Sequence, residues 1–383
     1  MKNKLIYLDN AATTFPKPVC VANAVDECIR SFCGNSSRGA NPLALKSAEK
    51  IFECRCLLAD AFSCLPENVI FTYNTTYALN MAIKGVMMGG GHILISNMEH
   101  NATLRPVASL QRDGLIEYNT FDAYGKNHTE IIEDIDRKIR PDTRAVCCLH
   151  TSNICSYTLP IEKIGKYCHD AGLIFICDGA QSGGHIPIDM KKYNIDILCL
   201  PAHKGLYGIQ GCGVMLLGEN ISPSTIVEGG NGVNSLDYFM GDESPEKYEA
   251  GTLSTPAIVG LGEGVKFLNS KKSSEIQAHN QKLFCHAKKL LERIPDVTIC
   301  DETPGSVLLF NINGISCDEV GEILSKNNVC VRTGYHCAPL AHRALGTYGT
   351  GGVRISFGVF NTLSHIELLA SLTEDISNHK LHI

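Results

Sequence analysis

Between Pro66 and Gly213, short apolar runs alternate with segments of helical spacing, and no other feature constrains the fold of this chain as strongly. "NVIFTY" precedes a helix-like "ALNMAIKGVM", "HILISN" precedes a segment around "ATLRPVASLQR", and "AVCCLHTSN" precedes "PIEKIGKYCHDAG". "LIFICDGAQ", "IDILCLPAHKG" and "GCGVMLLG" follow. That βαβ rhythm makes an α/β fold built on a mostly parallel, doubly wound sheet. Ligands of such sheets bind outside the carboxyl ends of the strands.

Polar residues collect at those ends. Asn74, Thr75 and Thr76 follow one run and His100 a second. Asn153 follows a third, Asp178 and Gln181 a fourth, and His203 and Lys204 a fifth. Five strand ends can therefore converge on one crevice. From Asn220 to Tyr248 glycine, serine and aspartate dominate, which reads as a loop or dimer-contact region rather than core. Beyond "EAGTLSTPAIVGLGEGVKFL" come a helix, strands around "VTICD", "SVLLFNI" and "VCVRTG", and a closing helix at "SHIELLASLTEDI". This reads as a second, smaller α/β domain, and 383 residues suffice for two packed units.

A net charge of −6 with no run of lysine or arginine gives no face for nucleic acid. "MKNKLIYLDNAATT" turns polar after a very short apolar patch, so neither a signal peptide nor a membrane span is expected, and the expected location is cytoplasmic. The eighteen cysteines would be thiols there. No C-x-x-C pair occurs, so no metal site is expected. Cys147, Cys148, Cys177 and Cys199 lie inside apolar runs and read as buried. Cys337 differs. Gly334, Tyr335, His336 and Pro339 put it in a turn, where a cysteine beside a histidine can be an accessible, reactive thiol.

Lys204 ends an apolar strand and precedes a glycine; a partly desolvated lysine there has a lowered pKa and suits Schiff-base chemistry. Taken alone it reads more readily as a lysine reaching solvent. Asp178 ends a buried strand and needs a cationic partner, either a protonated pyridine nitrogen or an ordinary salt bridge or cap. "TYNTTYALN" puts two threonines where a strand turns into a helix, as an anion site or as simple N-caps. Lysine, aspartate and phosphate cup together suggest pyridoxal phosphate. "GLGEGVKF" and "GIQGCGVML" do not satisfy G-x-G-x-x-G, and no Walker A motif is present.

"YLDNAATT", "MEHNA", "HTSN", "DGAQ", "AHKGLYG", "EAGT" and "RTGYHCAP…VRISF" occur in this order. Over nearly the whole chain this series resembles the class V aminotransferase fold type, specifically the cysteine desulfurase and selenocysteine lyase family. The resemblance implies the pyridoxal-phosphate-dependent transferase fold type I. It also implies a large cofactor-binding domain over 16–255, and a small domain from 1–15 and 256–383 that carries the cysteine loop. Lys204 matches the lysine that carries the cofactor, His203 a phosphate ligand, Asp178 the partner of the ring nitrogen and Gln181 the donor to the ring hydroxyl. His100 matches the histidine that stacks on the ring and shuttles protons, and Thr75 and Thr76 match the phosphate cup. Thr252 matches a threonine that reaches the phosphate across a homodimer. Asn153 and Arg354 match residues that hold the substrate carboxylate. Arg354 also fits by pattern, since Val353, Ile355, Phe357 and Val359 share the opposite face of its strand. Cys337 matches the nucleophile that takes sulfur from L-cysteine as a persulfide while L-alanine leaves.

Two departures stand out. Pro201 occupies the place where many relatives have a phosphate-binding serine, and proline offers neither hydroxyl nor N–H. Tyr335 replaces the first of two histidines before the cysteine. The segment from Cys337 to Arg354 is short, so a persulfide has little reach, and a sulfur acceptor protein or a small thiol is implied. The expected activity is cysteine desulfurase. The alternative is selenocysteine lyase acting on L-selenocysteine; an aminotransferase of the same fold would use Lys204 and ignore Cys337, and a sulfur-trafficking scaffold would have lost the cofactor.

Overall fold

The computed structural model describes residues 5–36, 41–233 and 235–381. Residues 1–4, 382 and 383 of the expected small domain, and Asn234 of the expected loop, lie outside the described residues. In chain order the structure begins with β1 (Ile6–Tyr7), α1 (Val19–Ser31), α2 (Pro42–Phe62), β2 (Val69–Thr72), α3 (Thr75–Val86), β3 (His92–Ser96), α4 (Asn101–Arg112), β4 (Glu117–Phe121) and α5 (His128–Lys138). Next come β5 (Thr143–Leu149), α6 (Ile161–Asp170), β6 (Ile174–Asp178), β7 (Ile197–Pro201), β8 (Gly213–Leu217) and α7 (Thr255–Asn269). The last part holds α8 (Ser273–Leu291), β9 (Val297–Ile299), β10 (Val307–Ile312), α9 (Cys317–Lys326), β11 (Val329–Cys330), β12 (Arg332–Gly334), α10 (Pro339–Ala344), β13 (Gly352–Ser356) and α11 (Leu363–Ser377).

Seven strands form the main sheet in the order β2-β8-β7-β6-β5-β3-β4, parallel except for β8, which runs against both neighbours. The apolar runs are continuous because both faces are covered. Leu94, Val146, Cys148, Phe175, Cys177, Leu198 and Leu200 point to the face carrying α2, α5, α6 and α7. Their neighbours Ile93, Ile95, Cys147, Ile176, Ile197 and Cys199 point to the face carrying α3 and α4. Each such buried leucine or isoleucine contributes about 1.5–3 kcal/mol, so a charge at Val146 would break the sheet at its centre. Cys147, Cys148, Cys177 and Cys199 are core residues, as expected.

The four-stranded antiparallel sheet, ordered β12-β13-β10-β9, has its own core of Phe284, Leu308, Phe310, Val353, Ile355 and Phe357, which Ile6 and Leu8 join. "VCVRTG" reads as one strand but splits: Val329–Cys330 pairs with β1, and Arg332–Gly334 pairs with β13. Strand β4 and helix α5 carry no signal as clear as the other elements. "EYNTF" sits at the sheet edge with polar residues exposed, so it makes no apolar run. Between β8 and α7 the described residues form no helix or strand, and Leu236, Tyr238 and Phe239 are exposed there.

The segment after β1 ties the two sheets together. Asn10 Nδ2 donates to Ser356 O (3.0 Å), Ala11 N donates to Ser356 Oγ (2.9 Å), and Ala11 O accepts from Gln181 Nε2 (2.9 Å). Thr13 and Thr14 hydroxyls both donate to His203 O at 3.1 Å.

Candidate active site

A cleft of about 510 Å³, counted to its open mouth, lies at the carboxyl ends of β2, β3, β5, β6 and β7. Eight of the residues expected at the site line it: Thr75, Thr76, His100, Asn153, Asp178, Gln181, His203 and Lys204. One end is the start of α3. Asn74 caps that helix, its side chain accepting from Tyr77 N (2.9 Å), so Thr75 and Thr76 are not caps but the first two helical residues. Leading N–H groups of a helix have no intrahelical acceptor, and the buried Thr75 Oγ1 has no partner either. Gly213 closes this corner from β8, where a Cβ would press on the backbone of Asn74 and Thr75. Pro201, paired with Gly213 across β7 and β8, contributes no N–H or hydroxyl to it.

Asp178 ends β6, and Lys204 lies in the turn that follows the neighbouring strand β7. Asp178 is buried, its Oδ1 accepts from Ala180 N (2.9 Å), and burial raises its pKa, with that hydrogen bond and the Lys204 charge opposing. Burial lowers the Lys204 pKa to about 8; Asp178 opposes the shift, and Arg354 and Arg332 add to it. Gly205 lets the turn after Lys204 lie against the turn after Asp178, since a Cβ there would overlap the carbonyl oxygen of Gly183. His203 has a buried Nδ1 with no partner, and burial, reinforced by Lys204 and Lys17, lowers its pKa to about 4.

His100 caps α4 with Nδ1, which accepts from Ala102 N at 3.0 Å, so the neutral ring carries its proton on Nε2. Burial, with Lys204 and three arginines, lowers its pKa to about 4. Behind it stands Glu99, which the sequence reading missed. Glu99 is fully buried, and its Oε1 accepts from Ser96 Oγ and from Leu149 N (2.9 Å), bracing the ends of β3 and β5. Burial pushes its pKa up to about 8.

Arg354 is 1% exposed, so it is no surface arginine. Its Nη1 donates to Asn153 O (2.9 Å) and its Nη2 to Asp9 Oδ1 (2.6 Å), while Nε stays without a partner. Asn153 Nδ2 donates to His336 O (2.7 Å), so Asn153 bridges the arginine and the cysteine loop. Asp9 is the second residue that sequence reasoning passed over.

Cys337 is exposed, and its carbonyl accepts from Asn101 N (2.7 Å), next to His100 on the cleft wall. Both His336 (φ 51°) and Cys337 (φ 58°) have left-handed backbone, a strain of about 1–3 kcal/mol each for such residues. The histidine that neighbours Cys337 in sequence does not face the thiol. His336 is turned into the interior, its Nδ1 3.3 Å from His342 Nε2 and its Nε2 3.1 Å from Arg332 O. The cation at the thiol is Arg332, with Nη2 3.8 Å from Cys337 Sγ. Thr252 is not at this cleft; it is exposed and borders a separate hollow with Tyr73 and Glu249.

The residues fit pyridoxal phosphate. A partly neutral amine, a buried carboxylate at a strand end, and unpartnered donors at the start of α3 and on His203 match an aldehyde, a pyridinium and a phosphate. Comparison with known proteins agrees. Residues 6–369 match the aminotransferase class-V family model. A probable cysteine desulfurase of Methanothermobacter thermautotrophicus is 31% identical over 383 residues, spanning 97% of this chain and 94% of that protein. The apo structure of a cysteine desulfurase from Thermococcus onnurineus NA1 matches with a TM-score of 0.88 at 29% identity, covering 98% of this chain and 96% of that one. An Escherichia coli cysteine desulfurase structure, at 24% identity and a TM-score of 0.89 over 100% of this chain and 96% of its own, bears on the fold alone. The expected fold type I is thus the observed one. Because the family match leaves no strand of either sheet and no wall of the cleft outside it, the chain belongs to the class V aminotransferase family.

Proposed function

We propose that this chain is a pyridoxal-phosphate-dependent cysteine desulfurase, which converts L-cysteine to L-alanine and leaves the sulfur as a persulfide on Cys337. The observation that carries this reading is an exposed thiol tied by its own carbonyl to the cleft wall beside His100, with Arg332 at the sulfur. When bound, pyridoxal phosphate supplies the electron sink at the substrate's Cα. Lys204 Nζ is the amine that would hold it, and at pH 7 its lowered pKa leaves more of it neutral than in an ordinary lysine. Asp178 would accept from the ring nitrogen and Gln181 would donate to the ring hydroxyl. Thr75, Thr76 and His203 would take the phosphate, with Pro201 adding nothing.

Arg354 Nε is the free donor for the substrate carboxylate, and Asn153 orients it through its carbonyl. His100 Nε2 holds the proton that can be moved above the cleft floor. The Cys337 thiolate forms an S–S bond as the C–S bond of the substrate breaks, and the electron pair left on carbon is protonated to give alanine. The sulfur then passes to a small thiol or an acceptor protein. Thr252 serves a partner's cleft in a homodimer, and sedimentation showing only monomer at working concentration would remove that role. A cytoplasmic location belongs to the same proposal; no helix among the described residues is long and apolar enough to cross a membrane.

The test is alanine release from L-cysteine and L-selenocysteine by cofactor-loaded protein, wild type beside Cys337→Ala. Loss of cysteine turnover in the variant, with unchanged cofactor absorbance, supports the reading. Equal alanine release by both proteins refutes the persulfide role, and turnover of selenocysteine alone by both replaces this reading with selenocysteine lyase.

A further inference from the structure

We propose that His342 is the positioning residue for Cys337, acting through His336; the proposal rests on the desulfurase reading and deepens it. His342 lies in α10 with no exposure, and its ring is nearly parallel to that of His336, with centroids 5.6 Å apart and planes 15° apart. The hydrogen-bond chemistry allows one arrangement. Arg332 O can only accept, so His336 Nε2 carries the proton. In a neutral ring His336 Nδ1 must then accept, and its partner at 3.3 Å is His342 Nε2, which therefore donates. His342 Nδ1 is left as an acceptor for the Thr347 hydroxyl, 2.7 Å away. Burial holds both rings neutral, with pKa values lowered to about 3 for His336 and about 4 for His342.

This chain of bonds fixes two things at once. It holds the main chain of Arg332, whose guanidinium meets Cys337 Sγ, and it holds the residue before the cysteine. Asn153 takes the carbonyl of His336, and Asn101 takes the carbonyl of Cys337. Two successive residues in left-handed backbone are thus pinned from three sides, and only the thiol is left outside. Without the His342 donor, His336 Nδ1 is a buried acceptor with no partner, which favours its swinging out and letting the loop relax. The sulfur then leaves its place beside Arg332.

The experiment compares holoenzyme carrying His342→Phe, which keeps an aromatic ring but has no donor, with His342→Gln, whose amide can donate to His336 Nδ1. A displacement of the nucleophile by about 1 Å lowers the rate roughly a hundredfold. We expect kcat for alanine release to fall by at least tenfold in His342→Phe, with KM for L-cysteine and cofactor absorbance unchanged, and to recover in His342→Gln. Thr347→Val, which keeps both rings, should lie between them. Peptide-resolved alkylation of Cys337, read by mass spectrometry, needs no turnover. Its rate should change in His342→Phe and return in His342→Gln, and would do so even if the wild type released no alanine and the desulfurase reading failed. A wild-type kcat and alkylation rate in His342→Phe would overturn the proposal, as would an equal loss in the Phe and Gln variants accompanied by a raised KM.

Discussion

Replacing Lys204 by Met in the apo protein should make part of its stability independent of pH. Lys204 titrates at about 8 in the folded chain, below the ordinary 10.5, because burial disfavours its charged form. Between those values the unfolded chain binds a proton that the folded chain does not, so this group makes stability rise with pH across that window. At about 1.4 kcal/mol per pH unit, the gap is worth about 3 kcal/mol. Below pH 8 the lysine carries that full penalty, and above 10.5 it carries none. The advantage of Lys204→Met over wild type, measured by urea denaturation at several pH values from 7 to 10.5, should shrink by about 3 kcal/mol. A constant offset from the extra apolar burial of Met does not matter, and the buried thiols and tyrosines that titrate nearby are common to both proteins. A difference flat across the window would show that Lys204 is not desolvated, and the argument for a neutral amine at pH 7 would fall with it.

Glu99, pushed up to about 8 by burial, is the opposite case: its stabilising proton is fully held below the ordinary 4.5 and lost as pH passes 8, so Glu99→Gln should gain on wild type as pH rises between those values in thermal melts. Arg354→Met leaves the partly buried Asp9 facing an apolar group. It should cost about 1–3 kcal/mol in urea denaturation, with Asp9→Asn restoring part of the loss in a double-mutant cycle and KM for L-cysteine raised in both Arg354→Met proteins. Gly205→Ala drives a methyl into the Gly183 carbonyl and should cost about 1–3 kcal/mol while weakening pyridoxal phosphate binding in a titration followed by absorbance.

What could be read in advance was whatever local sequence encodes. The strands that end at Ser96, Leu149, Asp178 and Pro201 are buried on both faces, so each is a largely apolar run with polar residues at or just beyond its carboxyl end. Lys204 and Asp178 were visible for that reason. "EYNTF" at an edge and the step between two sheets inside "VCVRTG" leave no such mark. Asp9, Glu99, Arg332 and His342 were not singled out because their roles depend on contacts that spacing does not encode. His336 was read from its neighbour Cys337, but positive φ at both residues turns the ring away from the thiol. The motif series carried Arg354 and Asn153 to the same corner, although it did not reveal that Asn153 also holds the cysteine loop.

The bond between Asp9 and Arg354 joins positions 345 apart in the chain. All strands of the main sheet lie between Val69 and Leu217, so a growing polypeptide owns the whole floor of the cleft while Arg354 has yet to be made. Closing so long a loop adds little entropy beyond that of a shorter one, but it sets an order of assembly. The part proposed to grip the cofactor can mature early, and the corner proposed to receive substrate is finished last.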